Sequence, residues 1–232
     1  ICIFKVMNME ERPSQVIEEY LLVLYKLQRD GEKAKSVTLA NSLDTSAPTV
    51  QATVGRMQRD GLIKVNRSKE IQLTQLGFEM AENIAYRHNL AEDFLCNTLG
   101  IPWFEVHKHA HQLEHAMTTL VVEKLAEFLG KPEFCTHGTP MPGQSLPENS
   151  FTLDQAQAGS SIEVAMIGED LEDSVELMRV LQNQQMMPGH KHTILERSEV
   201  MQSITLDNGN GPSVLPMHVA QKIIVIPSPA LA

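Results

Sequence analysis

The chain has 232 residues, with 29 acidic and 19 basic side chains and a formal net charge of −10. Hydrophobic residues make up 42% and charged residues 21%, a composition that can bury a core and excludes a disordered chain. No run approaches ~18 uncharged apolar residues, which excludes a transmembrane helix, and Cys2, Cys96 and Cys135 are too few for a disulfide framework. The opening ICIFKVM is too short for a secretion signal, and a reducing, cytoplasmic setting is expected.

Spread evenly, −10 would argue against nucleic acid, because phosphate binding is driven by Lys and Arg. The charge is not even. Residues 1–74 carry 11 basic and 9 acidic groups, a net of +2, whereas 75–150 and 151–232 each carry 4 basic and 10 acidic groups, a net of −6. Each third therefore needs its own explanation.

Apolar Ile17, Leu21, Leu24 and Leu27 recur at helical spacing after Pro13, which predicts a helix over 14–27. A second helix is expected over 36–43. A third runs from Pro48 to Asp60, capped by Ser46, with Val50, Val54 and Met57 on one face and Gly61 at its end. LIKV, the polar turn NRSKE and IQLT then read as a β-hairpin. This order is that of a winged helix-turn-helix. One long helix follows over 74–99, broken by Gly100-Ile-Pro102, with two more over 103–115 and 118–129. The Gly- and Pro-rich stretch after Leu129 reads as loop and linker. The last 80 or so residues change character. Ser161–Ile167 alternates like a strand, 171–185 looks helical, and MMPGHKHTIL, VMQSITL and AQKIIVIP look like short strands around turns. A small β-barrel with an inserted helix is expected.

In a helix-turn-helix the N-terminal residues of the third helix reach base edges. Ser46, Thr49 and Gln51 offer hydrogen bonds, while Pro48 and Ala52 suit thymine methyls. Arg56, Arg59, Lys64, Arg67 and Lys69 suit phosphates. The same surface also reads as a solvated helix face of a protein-interaction module. Five of the nine histidines lie between His88 and His115. His88 and Glu92 are four apart, as are His107 and His111, and Glu114 and His115 follow one turn later, so each set shares a helix face. Imidazole with carboxylate suits Mn, Fe, Co, Ni or Zn, and a thiolate from the Cys135-x-His137 pair would favour a softer ion. Any single pair reads more often as a surface hydrogen bond than as a ligand pair, and Cys135 also reads as a buried apolar thiol. Their concentration favours a cation site, for which the acidic middle third is suited.

The stretches EEYLLVLYKL, LANSLDTSAPTVQATVGRMQRDGLI, IQLTQLG, YRHNLAEDFL, GIPWFEVHKHAHQLEHAM and CTHGTPMPG carry a resemblance that extends from Ser14 to Ile226. The chain resembles the metal-dependent transcriptional repressors of the diphtheria-toxin repressor type, including their iron- and manganese-responsive relatives. The resemblance implies a mainly α fold with small β parts. Its expected domains are a winged helix-turn-helix over 10–74, a helical metal-binding and dimerisation domain over 75–142, a linker over 143–155 and an SH3-like, FeoA-like barrel over 156–232. Residues before about Met9 match nothing and read as an extension. A cytoplasmic homodimer acting on a palindromic double-stranded DNA operator is implied, with no membrane and no small-molecule substrate.

Two metal sites per subunit are implied. The regulatory site takes Glu19, just before Tyr20, with His111, Glu114 and His115. H-Q-L-E-H stands where iron-responsive members have C-x-x-E-H and manganese-responsive members E-x-x-E-H, a ligand set without sulfur that suits Mn2+ or Fe2+, with Zn2+ or Co2+ in vitro. Leu22 falls where manganese-type members place a further carboxylate. The second site takes His88, Glu92 and His107, with Cys135 and His137 from the loop and, counted back from Pro188, Glu169 and Glu172. Those last two also read as part of an acidic, solvated loop. The function implied is a metal-activated repressor of metal-uptake genes. The alternatives are a metal-binding interaction protein and a mononuclear metal enzyme, although H-E-x-x-H, a phosphate loop and a nucleophile motif are lacking.

Overall fold

The computed structural model describes residues 12–29 and 31–229. Cys2 and the expected extension before Met9 lie outside the described residues. Two compact units emerge: the described residues up to His88 with Leu113–Glu127, and Asn89–Gln112 with the described residues from Phe128 onward.

In the first unit, α1 (Gln15–Arg29) buries Ile17, Leu21 and Leu24, the stripe that its helical spacing predicts. It packs with α2 (Ser36–Ser42) and α3 (Ala47–Arg59) around Leu39, Val50 and Met57, all fully buried. Ser46 caps α3, its hydroxyl accepting from the Thr49 amide at 3.3 Å, and Gly61 leaves the helix at φ +74°. Strands β1 (Ile63–Val65) and β2 (Ile71–Leu73) pair antiparallel, Ile63 opposite Leu73. Their turn is held by Asn66 Oδ1, which accepts from the amides of Ser68 and Glu70. The expected winged helix is therefore built.

The long helix ends sooner than its pattern suggests. α4 (Gln75–Asp93) passes into a π-helical turn (Phe94–Thr98), closed by Leu99 N donating to Phe94 O at 3.1 Å. The next helix begins late. Residues 103–105 form a turn, with Glu105 N donating to Pro102 O, and α5 spans Val106–Glu114. α6 spans Thr119–Phe128 and buries Val122 and Ala126.

The second unit is centred on a six-stranded sheet of order β3-β8-β4-β5-β6-β7. Its strands are β3 (Phe151–Thr152), β4 (Ser161–Ile167), β5 (Lys191–Ser198), β6 (Ser203–Asp207), β7 (Pro212–Pro216) and β8 (Ile223–Pro227). All pairings are antiparallel. Alternate residues Ile162 and Val164 point inward with Ile194, Ile204, Leu206 and Val225. The helical stretch expected over 171–185 is two helices, α7 (Glu169–Glu172) and α8 (Val175–Asn183). The Ser174 hydroxyl accepts from the Leu177 amide and starts α8 afresh. A short helix, α9 (Met217–Ala220), precedes β8. Strands β3 and β7 were not expected. β7 carries a proline at each end, which an edge strand tolerates because one side of its ladder is unpaired.

The loop after α6 is pinned to the sheet. A β-bulge in β4 between Val164 and Met166 shifts the register. There Ile167 N donates to His137 O at 2.9 Å. Gly138 stands at φ +86°, and a Cβ on it would meet Ala165 O at 2.0 Å. We expect Gly138→Ala to destabilise the protein by at least about 2 kcal/mol, through left-handed strain together with the clash. A loss under about 0.5 kcal/mol in urea unfolding would refute this account of the loop. No helix among the described residues is long and apolar enough to cross a membrane.

Candidate metal centres and candidate nucleic-acid interface

Ser46, Pro48, Thr49, Gln51, Ala52, Arg56 and Arg67 are all exposed. Pro48, Thr49, Gln51, Ala52, Arg56 and Arg59 line one open depression along α3. The opposite face carries the buried Val50, Thr53, Val54 and Met57. The amphipathic period thus turns the polar residues outward and anchors the helix on the unit's core. Lys64 and Lys69 are exposed on the wing.

Also in the first unit, Glu19 on α1 approaches Glu114 and His115, at the end of α5. One ligand atom from each lies within 4.8 Å of the others. His115 Nε2 is 2.9 Å from Glu19 Oε1 and 3.2 Å from Glu114 Oε1. The other oxygen of Glu114 lies 2.5 Å from His88 Nδ1, and Glu114 is fully buried. Burial works against charging His115, but hydrogen bonds to Glu18 and Glu19 and the charge of Glu114 override it and raise its pKa to about 9. Two carboxylates and an imidazole converging in this way fit a hard or borderline divalent cation.

The second unit holds a denser centre. His107 Nδ1 is 2.9 Å from Glu92 Oε1 and 2.7 Å from Glu172 Oε2. His137 Nδ1 is 3.2 Å and 3.5 Å from the same two oxygens. The loop pinned by Gly138 also brings in Cys135, which clusters with Glu92 and His137. His137 donates from Nε2 to Trp103 O at 3.1 Å, and Trp103 itself donates to Thr136 O at 3.0 Å. That leaves His137 Nδ1 aimed at the carboxylates of Glu92 and Glu172. Glu92, Glu172 and His137 are all buried. Burial opposes charging His107 and His137, yet the charge of Glu172 pushes both upward, His137 to about 9. Burial first, then the charges of Glu92 and Glu172, push the Cys135 thiol well above its usual range. Buried anions that draw protons onto their neighbours fit a site that takes a divalent cation.

His111, half-buried, places its ring 4.7 Å from that of His107 and clusters with His107 and Asp173. Glu172 lies within the centre, whereas Glu169, at the start of α7, belongs to none of the ligand clusters among the described residues. Leu22 is buried.

Sequence reasoning passed over three residues of the first unit. Glu18, 3% exposed, bonds His115 Nδ1 at 2.6 Å, Arg87 at 3.0 Å and Arg12 at 3.1 Å. Arg12 also donates to Met117 O at 2.9 Å. The available signal was a carboxylate three residues before Leu21 on the buried face of an amphipathic helix, where an unpaired charge is costly.

Residues 14–71 match the iron-dependent repressor N-terminal DNA-binding domain, and residues 74–143 the iron-dependent repressor metal-binding and dimerisation domain. The iron-dependent repressor IdeR of Mycobacterium leprae is 31% identical over 220 residues, spanning 90% of this chain and 95% of that protein. The diphtheria toxin repressor of Corynebacterium diphtheriae is 33% identical over 144 residues, 62% of this chain and 60% of that protein. A manganese-dependent transcriptional repressor solved in complex with manganese superposes with a TM-score of 0.82 at 27% identity, covering 91% of this chain and all of that one. The repressor ScaR with bound Zn2+ gives 0.77 at 26% identity, covering 93% of this chain and all of that one. The chain belongs to the iron-dependent, diphtheria-toxin repressor family of metal-dependent transcriptional repressors.

Proposed function

We propose that the protein is a cytoplasmic, homodimeric repressor of metal-uptake genes that binds a palindromic operator when Mn2+ or Fe2+ is loaded. The observation that carries this reading is the convergence of Glu19 from α1 with Glu114 at the end of α5 and His115 just after it, in the same unit as the exposed α3 surface. Glu19, Glu114 and His115, with His111 added by the family resemblance, hold the regulatory ion. Glu92, His107, Cys135, His137 and Glu172, with His88 added by the resemblance, hold the second. Glu169 is set aside in favour of Glu172, which points at His107 and His137.

When bound, the cation supplies two positive charges among carboxylates that otherwise repel one another. The chain's own residues do the rest. Glu19 sits on the helix that packs with α2 and α3, so drawing Glu19 toward Glu114 and His115 narrows the positions open to the reading helix. In a two-fold dimer that sets the spacing of two recognition helices against two half-sites. Absence of sulfur from Glu19, His111, Glu114 and His115 favours Mn2+ and Fe2+ over softer ions.

Fluorescence anisotropy with promoter DNA, with Mn2+ and then with chelator, tests the reading. Binding only in the presence of metal is expected. Binding unaffected by chelator would overturn it, as would no DNA binding in either state, the result for a metal enzyme or an interaction protein. Arg56→Ala should weaken binding across all sequences and lower the salt slope by about 1, as expected for one lost phosphate contact. An unchanged slope would remove Arg56 from the interface.

A further inference from the structure

Glu18 is a carboxylate buried in the first unit that the proposed ligand set does not use. Its Oε2 takes the Nδ1–H of His115 at 2.6 Å, while His115 Nε2 faces Glu19 and Glu114. Its Oε1 is held between the guanidinium groups of Arg87 (3.0 Å) and Arg12 (3.1 Å). Arg12 is itself anchored on backbone carbonyls at the end of α5, Met117 O at 2.9 Å and Glu114 O and His115 O at 3.4 Å. Arg87 is 2% exposed, so this is a closed arrangement and not a surface contact.

We infer that Glu18 is the positioning residue of the regulatory site. It holds the imidazole of His115 by one nitrogen, so that the other is presented to the cation. A histidine that ligates through one nitrogen needs its other N–H fixed, because the partner sets both tautomer and ring orientation and raises the basicity of the ligating nitrogen. Adjacent residues of α1 thus take different roles. Glu19, with a side chain 31% exposed, faces the cation, while Glu18, 4% exposed, fixes the histidine. Arg12 and Arg87 in turn prevent Glu18 from competing for the ion, since its charge is already shared between two guanidinium groups. The residues ahead of α1 thereby acquire a part in metal binding through Arg12.

The inference rests on the regulatory site proposed above, and two variants separate the two ideas. Mn2+ is titrated calorimetrically into wild type, Glu19→Ala and Glu18→Gln, following the binding step that Glu19→Ala removes. Glu18→Gln should weaken that step about 10- to 100-fold. In the metal-free protein, the charge-assisted Nδ1–H of His115 should give a far-downfield imidazole proton that moves upfield in Glu18→Gln. If the uncompensated arginine prevents folding, the double variant Glu18→Gln/Arg87→Met is used, with the same expectations. A wild-type Mn2+ affinity in Glu18→Gln beside a defective Glu19→Ala overturns the positioning role alone. An unaffected Glu19→Ala overturns the regulatory site, and the inference with it. An unmoved imidazole proton also overturns the inference, since it would show that Glu18 does not hold the ring.

Discussion

Arg87→Ala should lower the free energy of unfolding by about 3 kcal/mol, toward the lower end of the range for breaking a buried ion pair. Arg87 is among the largest fully buried side chains of the protein, and its guanidinium lies 3.0 Å from Glu18. Burial pulls its pKa down to about 10 despite that partner, a sign that the charge is kept in the interior at a cost. The Glu18 carboxyl is held below the usual range: burial would raise it, but the hydrogen bond from His115 and the charges of Arg87 and Arg12 prevail. Removing Arg87 leaves a buried carboxylate to Arg12 and His115 alone and opens a cavity where the side chain stood. Arg87→Met, which fills the space but still removes a partner of Glu18, should cost less than alanine, and neutralising Glu18 as well should recover more of the loss. Urea unfolding of Arg87→Ala, Arg87→Met and the Glu18→Gln/Arg87→Met pair provides the check. A loss under about 1 kcal/mol for Arg87→Ala would contradict the assignment of this pair as the tie between α1 and α4.

The second large effect concerns function. Glu19→Ala should leave the fold intact, because Glu19 is partly exposed and contributes no core contact, yet it should remove the metal-dependent part of DNA affinity. The loss should be about ten- to a hundredfold at Mn2+ concentrations that saturate the wild type, the usual span of an allosteric coupling. Anisotropy with promoter DNA measures it, and circular dichroism confirms the fold. A Glu19→Ala protein that still responds to Mn2+ as the wild type does would place the regulatory ion elsewhere.

Much of this was legible along the chain because it depends on periodicity. The stripe Ile17, Leu21, Leu24 and the alternation of Ser161–Ile167 each encode which face is buried, and the structure buries those faces. The helix-bearing histidines and carboxylates were legible for the same reason, since residues three and four apart share a face. What escaped depends on partners distant in sequence. Glu18 and Arg87 lie 69 residues apart, and neither declares the other. Ser174 looks like any serine within a helical pattern until its hydroxyl is found capping α8. Strand β7, PSVLP, carries two prolines and looks like loop unless its edge position is known. The gap between Glu169 and Glu172 is likewise tertiary. GEDLED offers four carboxylates, and only the packing of α7 turns Glu172 toward His107.

The central claim is that metal and DNA act on one equilibrium, and such coupling is reciprocal. The most direct test is a pair of anaerobic Mn2+ titrations of the full chain, alone and saturated with an operator selected from random DNA in the presence of Mn2+. The account predicts that DNA tightens metal binding by the same factor by which Mn2+ tightens DNA binding. Equal Mn2+ affinities with and without the operator would contradict it.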